Sequence, residues 1–494
     1  MQLELEHAES APAAAPEVVN PEAPTPSDAS AWNNLSLLRN IKLGLFHIGS
    51  SMADILAIGV WNRIMIKELG FAATPIALLL ALRYFLAPLS IWVGHRSDTR
   101  PWRGYRRLPY VWGGRLIMVL SYFLLGISTL ELAGSYDGTI PELTVGLANI
   151  TVTQNAGSLL GWMGVAISLV LFSVGSTFSS TTFLSLIHDR APKHQRSRAV
   201  GVVWFFLILG FAVAGILFSR LLPEYTRDGF LSLFLVAPLI MGGLWFFAVV
   251  GEEKPLPGSK AAAPPPANAF GRDLKAVWAS RQTRLFFVFL ALSFLFFYMQ
   301  DVILEPFAAE VFGMSVATTS RFSMYWGSLT LIGIIASLIL ARRYPKTITN
   351  TALTRWGVMV LIVAFGIFFV CAIAEIRALV TVGLVVMGLG LGMWTVGPLG
   401  MMMDMTRAWG AGLYLSLWTV SSTLARGAGV VAGGVILDLA LALTGGQQAL
   451  AYASVFLIQV AGFAGTWAVL RQINLRQFDQ EAPRAEPVFA SAME

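Results

Sequence analysis

Long apolar runs separated by short charged connections set the pattern of this chain. A helix needs about 20 residues to cross the hydrocarbon core of a bilayer. Segments of that length lie at residues 42–61, 72–94, 108–130, 161–187, 198–219 and 230–250. A polar, proline-rich stretch from Gly251 to Ala269 interrupts them, and spans resume at 285–304, 318–341, 351–374, 377–405, 412–437 and 447–470. The pattern predicts an all-α polytopic membrane protein, twelve transmembrane helices in two groups of six. A shorter amphipathic segment precedes each group: Leu35, Leu38 and Ile41 with Arg39 and Lys42 before the first, and Leu274, Val277 and Trp278 between Arg272 and Arg284 before the second. Each is expected to lie on the membrane surface as a lead-in.

The expected organisation is an acidic tail over 1–32, a six-helix bundle with its lead-in over 33–250, and a Pro/Ala-rich linker over 251–270. A second bundle with its lead-in follows over 271–473, then a tail over 474–494. The first tail carries Glu4, Glu6, Glu9, Glu17, Glu22 and Asp28 without Lys or Arg, a composition that cannot bury a core. It has neither the basic start nor the apolar middle of a signal peptide, so the first span is expected to direct insertion itself.

Composition agrees with a membrane protein: 56% of residues are apolar and 13% charged. The net charge of +6 implies no nucleic-acid partner, because the basic residues cluster between apolar runs instead of forming one stripe. The densest cluster runs from Gly94 to Arg107 and holds Arg96, Arg100, Arg103, Arg106 and Arg107. Such a loop cannot enter hydrocarbon and is placed on the cytoplasmic side, which puts both termini there too. Of the loop cations, only Arg63, Lys67, Arg220, Arg227 and Arg377 then fall on the opposite side. The loop resembles the one between the second and third helices of the major facilitator superfamily. That resemblance makes Gly94, Asp98, Arg100, Arg103, Arg106 and Arg107 a candidate conformational latch clamping neighbouring helix ends.

The two halves also resemble each other. After the fourth span the chain reads His188-Asp-Arg, then Arg198-Ala-Val-Gly201-Val-Val-Trp204; after the tenth it reads Asp404-Met-Thr-Arg407, then Gly410-Ala-Gly412-Leu-Tyr-Leu-Ser-Leu-Trp418. Two similar six-helix bundles joined by a linker are the plan of a major facilitator fold, with any cavity between the halves.

Charges at membrane depth are costly enough to be functional candidates. In the first span His47, Ser50/Ser51 and Asp54 fall on one helical face. Counting 1.5 Å per residue from the cytoplasmic ends puts Asp54 roughly 18 Å deep and Arg83 of the second span roughly 17 Å deep. An Asp54–Arg83 pair would serve as a brace, or either member would serve a substrate or a proton. Asp301 and Glu305, at the outer end of the seventh span, are level with Arg321 and form a candidate outer gate or a static surface bridge. Arg426, mid-span in the eleventh helix, has no acid at matching depth on the tenth or twelfth. Its options are Asp54, backbone carbonyls or an anionic ligand. His47 is the one histidine in the membrane, either hydrogen-bonded within the bundle or an axial ligand to a metal-centred macrocycle. The ligand-binding candidates are therefore His47, Ser50, Ser51, Asp54, Arg83 and Arg426. Phe286-Phe287, Phe294 to Tyr298, and Met401-Met402-Met403 offer surface for a flat apolar ligand, or simply pack the bundle.

No phosphate loop, no His-Glu-x-x-His helix and no nucleophile constellation is present, and the one cysteine, Cys371, supports neither a disulfide nor a thiolate cluster. No enzyme activity, intrinsic cofactor or intrinsic metal site is expected.

Three stretches carry a family resemblance: Leu43-Gly-Leu-Phe-His-Ile-Gly-Ser-Ser-Met-Ala53, Asn62-Arg-Ile-Met-Ile-Lys-Glu-Leu-Gly70, and Gly94-His-Arg-Ser-Asp98 leading to Gly104-Tyr-Arg-Arg-Leu-Pro-Tyr-Val-Trp112. They resemble the PucC/LhaA family, the bacteriochlorophyll delivery group within the major facilitator fold, over about residues 35 to 475. After Trp112, Gly113-Gly-Arg115-Leu-Ile-Met118 departs from the family pattern, which leaves the subgroup open. The resemblance implies a protein in the cytoplasmic (intracytoplasmic photosynthetic) membrane of phototrophic bacteria. It would take bacteriochlorophyll, or a precursor, from its synthase as cargo and pass it to antenna or reaction-centre polypeptides, with the membrane insertion machinery a further partner. His47 would then meet the pigment magnesium. Two other readings stand beside it: a proton-coupled secondary transporter of a small solute using Asp54, Arg83 and Arg426, and a pigment-free scaffold for antenna helices.

Overall fold

Among the described residues, eleven of the twelve expected spans are helices long and apolar enough to cross a bilayer, and the second contains the shorter apolar helix Ala73–Phe85. The computed structural model describes residues 35–86, 89–99, 102–135, 156–192, 195–253, 280–406 and 411–474. Both expected tails, Arg100, most of the 251–270 linker, the second lead-in up to residue 279 and most of the connection after Glu131 lie outside the described residues.

The first half holds span one (Leu37–Glu68), span two in two pieces (Ala73–Phe85 and Leu89–Thr99), three (Leu108–Ser135), four (Ala156–Arg190), five (Arg196–Leu221) and six (Arg227–Val249). The second holds seven (Arg281–Phe312), eight (Val316–Arg343), nine (Asn350–Ala374), ten (Ala378–Thr406), eleven (Ala411–Leu443) and twelve (Gln448–Leu470). Hydroxyl caps start several of them: Ser36, Thr226, Ser280 and Thr349 accept from the backbone N–H three residues on. The two pieces of span two end at Phe85 and begin again at Leu89, and residues 87 and 88 between them lie outside the described residues.

Span one corrects the expectation at both ends. The lead-in is no separate surface segment, because one helix runs from Leu37 into the membrane. At the far end the polar Asn62-Arg63 pair, expected in an outside loop, lies inside the helix and is buried. Two π-helical stretches, Leu56–Trp61 and Ile64–Glu68, carry the helix there, and such stretches concentrate at functional sites.

Close backbone approach packs each half. Gly114 and Gly175 face each other's carbonyls where spans three and four cross, and Gly388 and Gly392 lie on the Trp326 and Thr330 carbonyls between spans ten and eight. A side chain at any of these would collide with backbone, so small residues set these crossings.

The halves are joined at one end. Asn62 Nδ2 donates to Val302 O at 2.8 Å and Arg63 Nη2 to Met314 O at 2.9 Å. Asp438 of span eleven accepts from Ala73 N (3.0 Å) and Thr74 N (2.7 Å), capping the start of span two across the seam. Ser323 Oγ donates to Phe211 O at 3.0 Å between spans eight and five.

Candidate functional site

At the seam, two acid–base pairs, one from each half, meet around a tyrosine. In the first half Arg83 Nη1 lies 2.5 Å from Asp54 Oδ1, and Arg83 Nη2 donates to the Tyr84 hydroxyl. In the second, Arg426 Nη2 lies 3.4 Å from Asp301 Oδ2, while Gln300 Nε2 donates to Asp301 Oδ1 at 2.7 Å. The Arg426 guanidinium sits 4.8 Å from the ring centre of Tyr84 and 4.1 Å from that of Tyr298. Carboxylates and ring faces together offset the cost of holding guanidinium groups away from water.

The depth count thus brings Asp54 and Arg83 together. It does not find the partner of Arg426, which lies on span seven instead of ten or twelve. Nor does the structure assemble the outer gate: Asp301 is taken by Arg426, Glu305 is buried against Gly59, and Arg321 is exposed with Nε on Ser219 Oγ at 3.3 Å. The seventh helix runs on to Phe312, so Asp301 and Glu305 lie within the span.

The first-span face divides. Ser51 turns to span five and donates to Leu207 O (2.5 Å), while Ser50 donates to Phe46 O (3.1 Å) and accepts from Trp245 Nε1 (3.3 Å). His47 and Asp54 stay partly exposed. The imidazole stands edge-on to Phe46 and Phe183, with ring centres 5.8 and 5.4 Å away, and its buried Nδ1 has no hydrogen-bond partner among the described residues.

Arg115 stands outside the set expected from sequence. It is 2% exposed and clamped between the rings of Phe46 (4.2 Å) and Trp245 (4.5 Å), forming no ion pair among the described residues. The cost of a charge at membrane depth was signal enough to single it out. Tyr84, Tyr298 and Gln300 carried no such signal: the two tyrosines meet Arg426 of another span, and Gln300 matters only through Asp301 beside it.

An aromatic surface extends from Tyr298. Phe294 stacks on it at 5.6 Å between ring centres and meets Trp394 at 4.9 Å and Trp418 at 6.3 Å. Phe294, Tyr298 and Trp418 are partly exposed. A flat apolar molecule would find stacking partners along one side and a guanidinium at the end.

The basic hairpin acts within the first half. Glu253, just after span six, accepts from the N–H groups of Arg106, Arg107 and Leu108 at 2.7–3.1 Å. Arg107 reaches Asp189 (3.1 Å) and Ser97 (2.7 Å), and Glu252 meets Lys42 (3.2 Å) and Arg190 (3.4 Å). Arg103 is exposed and stacks on Trp102, and Gly94 faces Thr181. Arg100 and the side chain of Asp98 lie outside the described residues.

A sequence profile for the family described as PUCC protein matches residues 60–478. The chain is similar to protein PucC of Rhodovulum sulfidophilum, 27% identical over 424 residues, 84% of this chain and 88% of that one. It is similar also to the bacteriochlorophyll synthase 44.5 kDa chain of Rhodobacter capsulatus, 28% identical over 416 residues, 82% of this chain and 88% of that one. Among solved structures it resembles a bacterial homolog of the human lysosomal transporter Spinster in an inward-facing, unoccupied conformation. The TM-score is 0.67 at 12% identity, covering 91% of this chain and 98% of the other. This likeness is one of fold, and it bears out the two six-helix halves of a major facilitator architecture.

Proposed function

Because the chain belongs to the PUCC protein family, we propose that it is an assembly factor for light-harvesting complexes in the cytoplasmic membrane of a phototrophic bacterium. It binds bacteriochlorophyll or a precursor between its halves and hands it to antenna or reaction-centre polypeptides. It acts as a binding protein, not an enzyme. The pigment arrives from the synthase that makes it, and the membrane insertion machinery supplies the receiving helices. The termini and the basic hairpin face the cytoplasm, where the hairpin offers the synthase a docking surface.

The observation that carries this reading is His47. His47 is partly exposed and stands edge-on to a phenylalanine pair, and a neutral imidazole so placed would serve as an axial ligand to a magnesium macrocycle. The nearby acids favour it over proton-coupled transport, since Asp54 and Asp301 are each already held by an arginine. The names of the two relatives, a PucC protein and a bacteriochlorophyll synthase chain, add support.

The test is an absorption spectrum of the protein purified gently from a phototroph that makes the pigment but no antenna polypeptides. A near-infrared band at stoichiometric level is expected, weakened or shifted in His47→Phe while insertion is unchanged. Unaltered pigment content in that variant would remove His47 from the site. Absence of pigment, with antenna helices copurifying once restored, would favour the scaffold. Secondary transport of a solute draws on one observation, the joining of the halves at one end through Asn62, Arg63 and Asp438, and solute flux in proteoliposomes would establish it.

A further inference from the structure

At the end of the bundle where span one starts, the two halves treat their cations differently. In the first half acids stand among them: Glu252 meets Lys42 and Arg190, Asp189 meets Arg107, and Glu253 caps span three. The second half presents Arg342 and Arg343 at the end of span eight and Lys346 just beyond it. All three are exposed, and none forms an ion pair among the described residues. Asp404, the acid that span ten brings to this end, is half-buried and receives Asn350 Nδ2 at 3.0 Å. Three cations within five residues are left without an anion.

Unmatched acids of the same chain lie in its N-terminal segment, where Glu4, Glu6, Glu9, Glu17, Glu22 and Asp28 occur without Lys or Arg. That segment joins the bundle at Leu35, whose N–H donates to Gln195 Oε1 at 3.0 Å. Odd-numbered spans start at this end and even-numbered spans finish there, so chain order puts Leu35 and the three cations on one side. Span five packs on span one at Gly210 and on span eight at Phe211, two interaxial steps of about 8–10 Å each. A chain covers at most about 3.3–3.6 Å per residue, so Asp28 reaches about 25 Å from Leu35 and Glu17 about 60 Å. The acids are within range of the patch.

We infer that the acidic N-terminal segment docks on Arg342, Arg343 and Lys346. It leaves the first half and lands on the second, so it ties the halves across the end opposite the Asn62, Arg63 and Asp438 contacts. Each exposed ion pair is weak alone; several form together here, and the tether at Leu35 makes their formation intramolecular. Lipid headgroups are the competing anions, and they lack that tether.

The experiment places spin labels at Thr25→Cys and Thr347→Cys in the full chain, in a Cys371→Ala background; Thr347 is exposed in the loop after span eight. In phosphatidylcholine nanodiscs at about 0.1 M salt a short-distance component is expected. It should be lost at about 1 M salt, where the screening length falls from about 10 to about 3 Å. Neutralising the six acids, Glu→Gln at 4, 6, 9, 17 and 22 with Asp28→Asn, should abolish it and leaves every described residue unchanged. Arg342→Gln, Arg343→Gln and Lys346→Gln together should do the same. Absence of the component in neutral lipid, or its survival in either variant, would overturn the inference. So would its disappearance when the nanodiscs carry anionic phosphatidylglycerol, because the patch would then belong to lipid headgroups; persistence there supports the tethered segment.

Discussion

Arg83 and Arg426, one from each half, share a single ring: their guanidinium carbons lie 4.6 and 4.8 Å from the centre of Tyr84. Two like charges so placed repel, and the arrangement holds because each keeps its own carboxylate, Asp54 or Asp301. The seam is therefore one electrostatic unit assembled from spans one, two, seven and eleven.

Asp54→Asn follows from that unit. It leaves Arg83 without its anion and in the field of Arg426, at a site where Asp54 keeps 29% of its surface and Arg83 12%. Partial exposure tempers the penalty below that of a fully buried pair, to roughly 1–3 kcal/mol. Adding Arg83→Gln should recover part of the loss, because the orphaned charge goes with it. Thermal unfolding of the wild type, both single variants and the double variant in the same detergent measures the coupling; strictly additive losses would mean that the pair does not act as a brace.

Depth counting made the Asp54–Arg83 pair legible because both residues lie in consecutive spans of known direction. The same count missed Arg426–Asp301 for two physical reasons. The seventh helix begins at Arg281 and ends at Phe312, so Asp301 sits deeper than the apolar run alone suggested. The eleventh span packs on the seventh, with Gly429 and Gly433 against the Leu295 and Met299 carbonyls, and that adjacency is set by the fold instead of chain order. Hydropathy located the twelve spans, yet polar residues at their ends misled it. Asn62 and Arg63 read as loop, but they remain helical because carbonyls of the other half take their hydrogen bonds.

Glu253 offers a second test, at the opposite end of the first half. Its carboxylate receives three backbone N–H groups at the start of span three, where the helix presents unsatisfied donors and the positive end of its dipole. Glu253→Ala should cost about 1–2 kcal/mol, as loss of an N-terminal cap does, and Glu253→Gln less. Hydrogen exchange at the amides of Arg106, Arg107 and Leu108 should accelerate before the rest of the bundle loosens. Unchanged exchange there would mean that the start of span three is held without this carboxylate.

Asp438 is the most direct handle on the joined end. It is the cap of span two although it belongs to span eleven, so it fastens one half to the other through two N–H bonds at 3.0 and 2.7 Å. Removing a cap of this kind costs about 1–2 kcal/mol, enough to change the ratio of joined to parted halves by roughly five- to thirty-fold. Spin labels at the exposed loop residues Glu224 and Glu375, in a Cys371→Ala background, report that ratio as a distance distribution. With Asp438 present a narrow distribution is expected. In Asp438→Ala a longer component should appear, and in Asp438→Asn a smaller one, because the amide oxygen still accepts a bond but no longer brings a charge to the helix end. If both variants keep the wild-type distribution, the other contacts of that end, Asn62 to Val302 and Arg63 to Met314, suffice alone, and the Asp438 cap is not what fastens the halves.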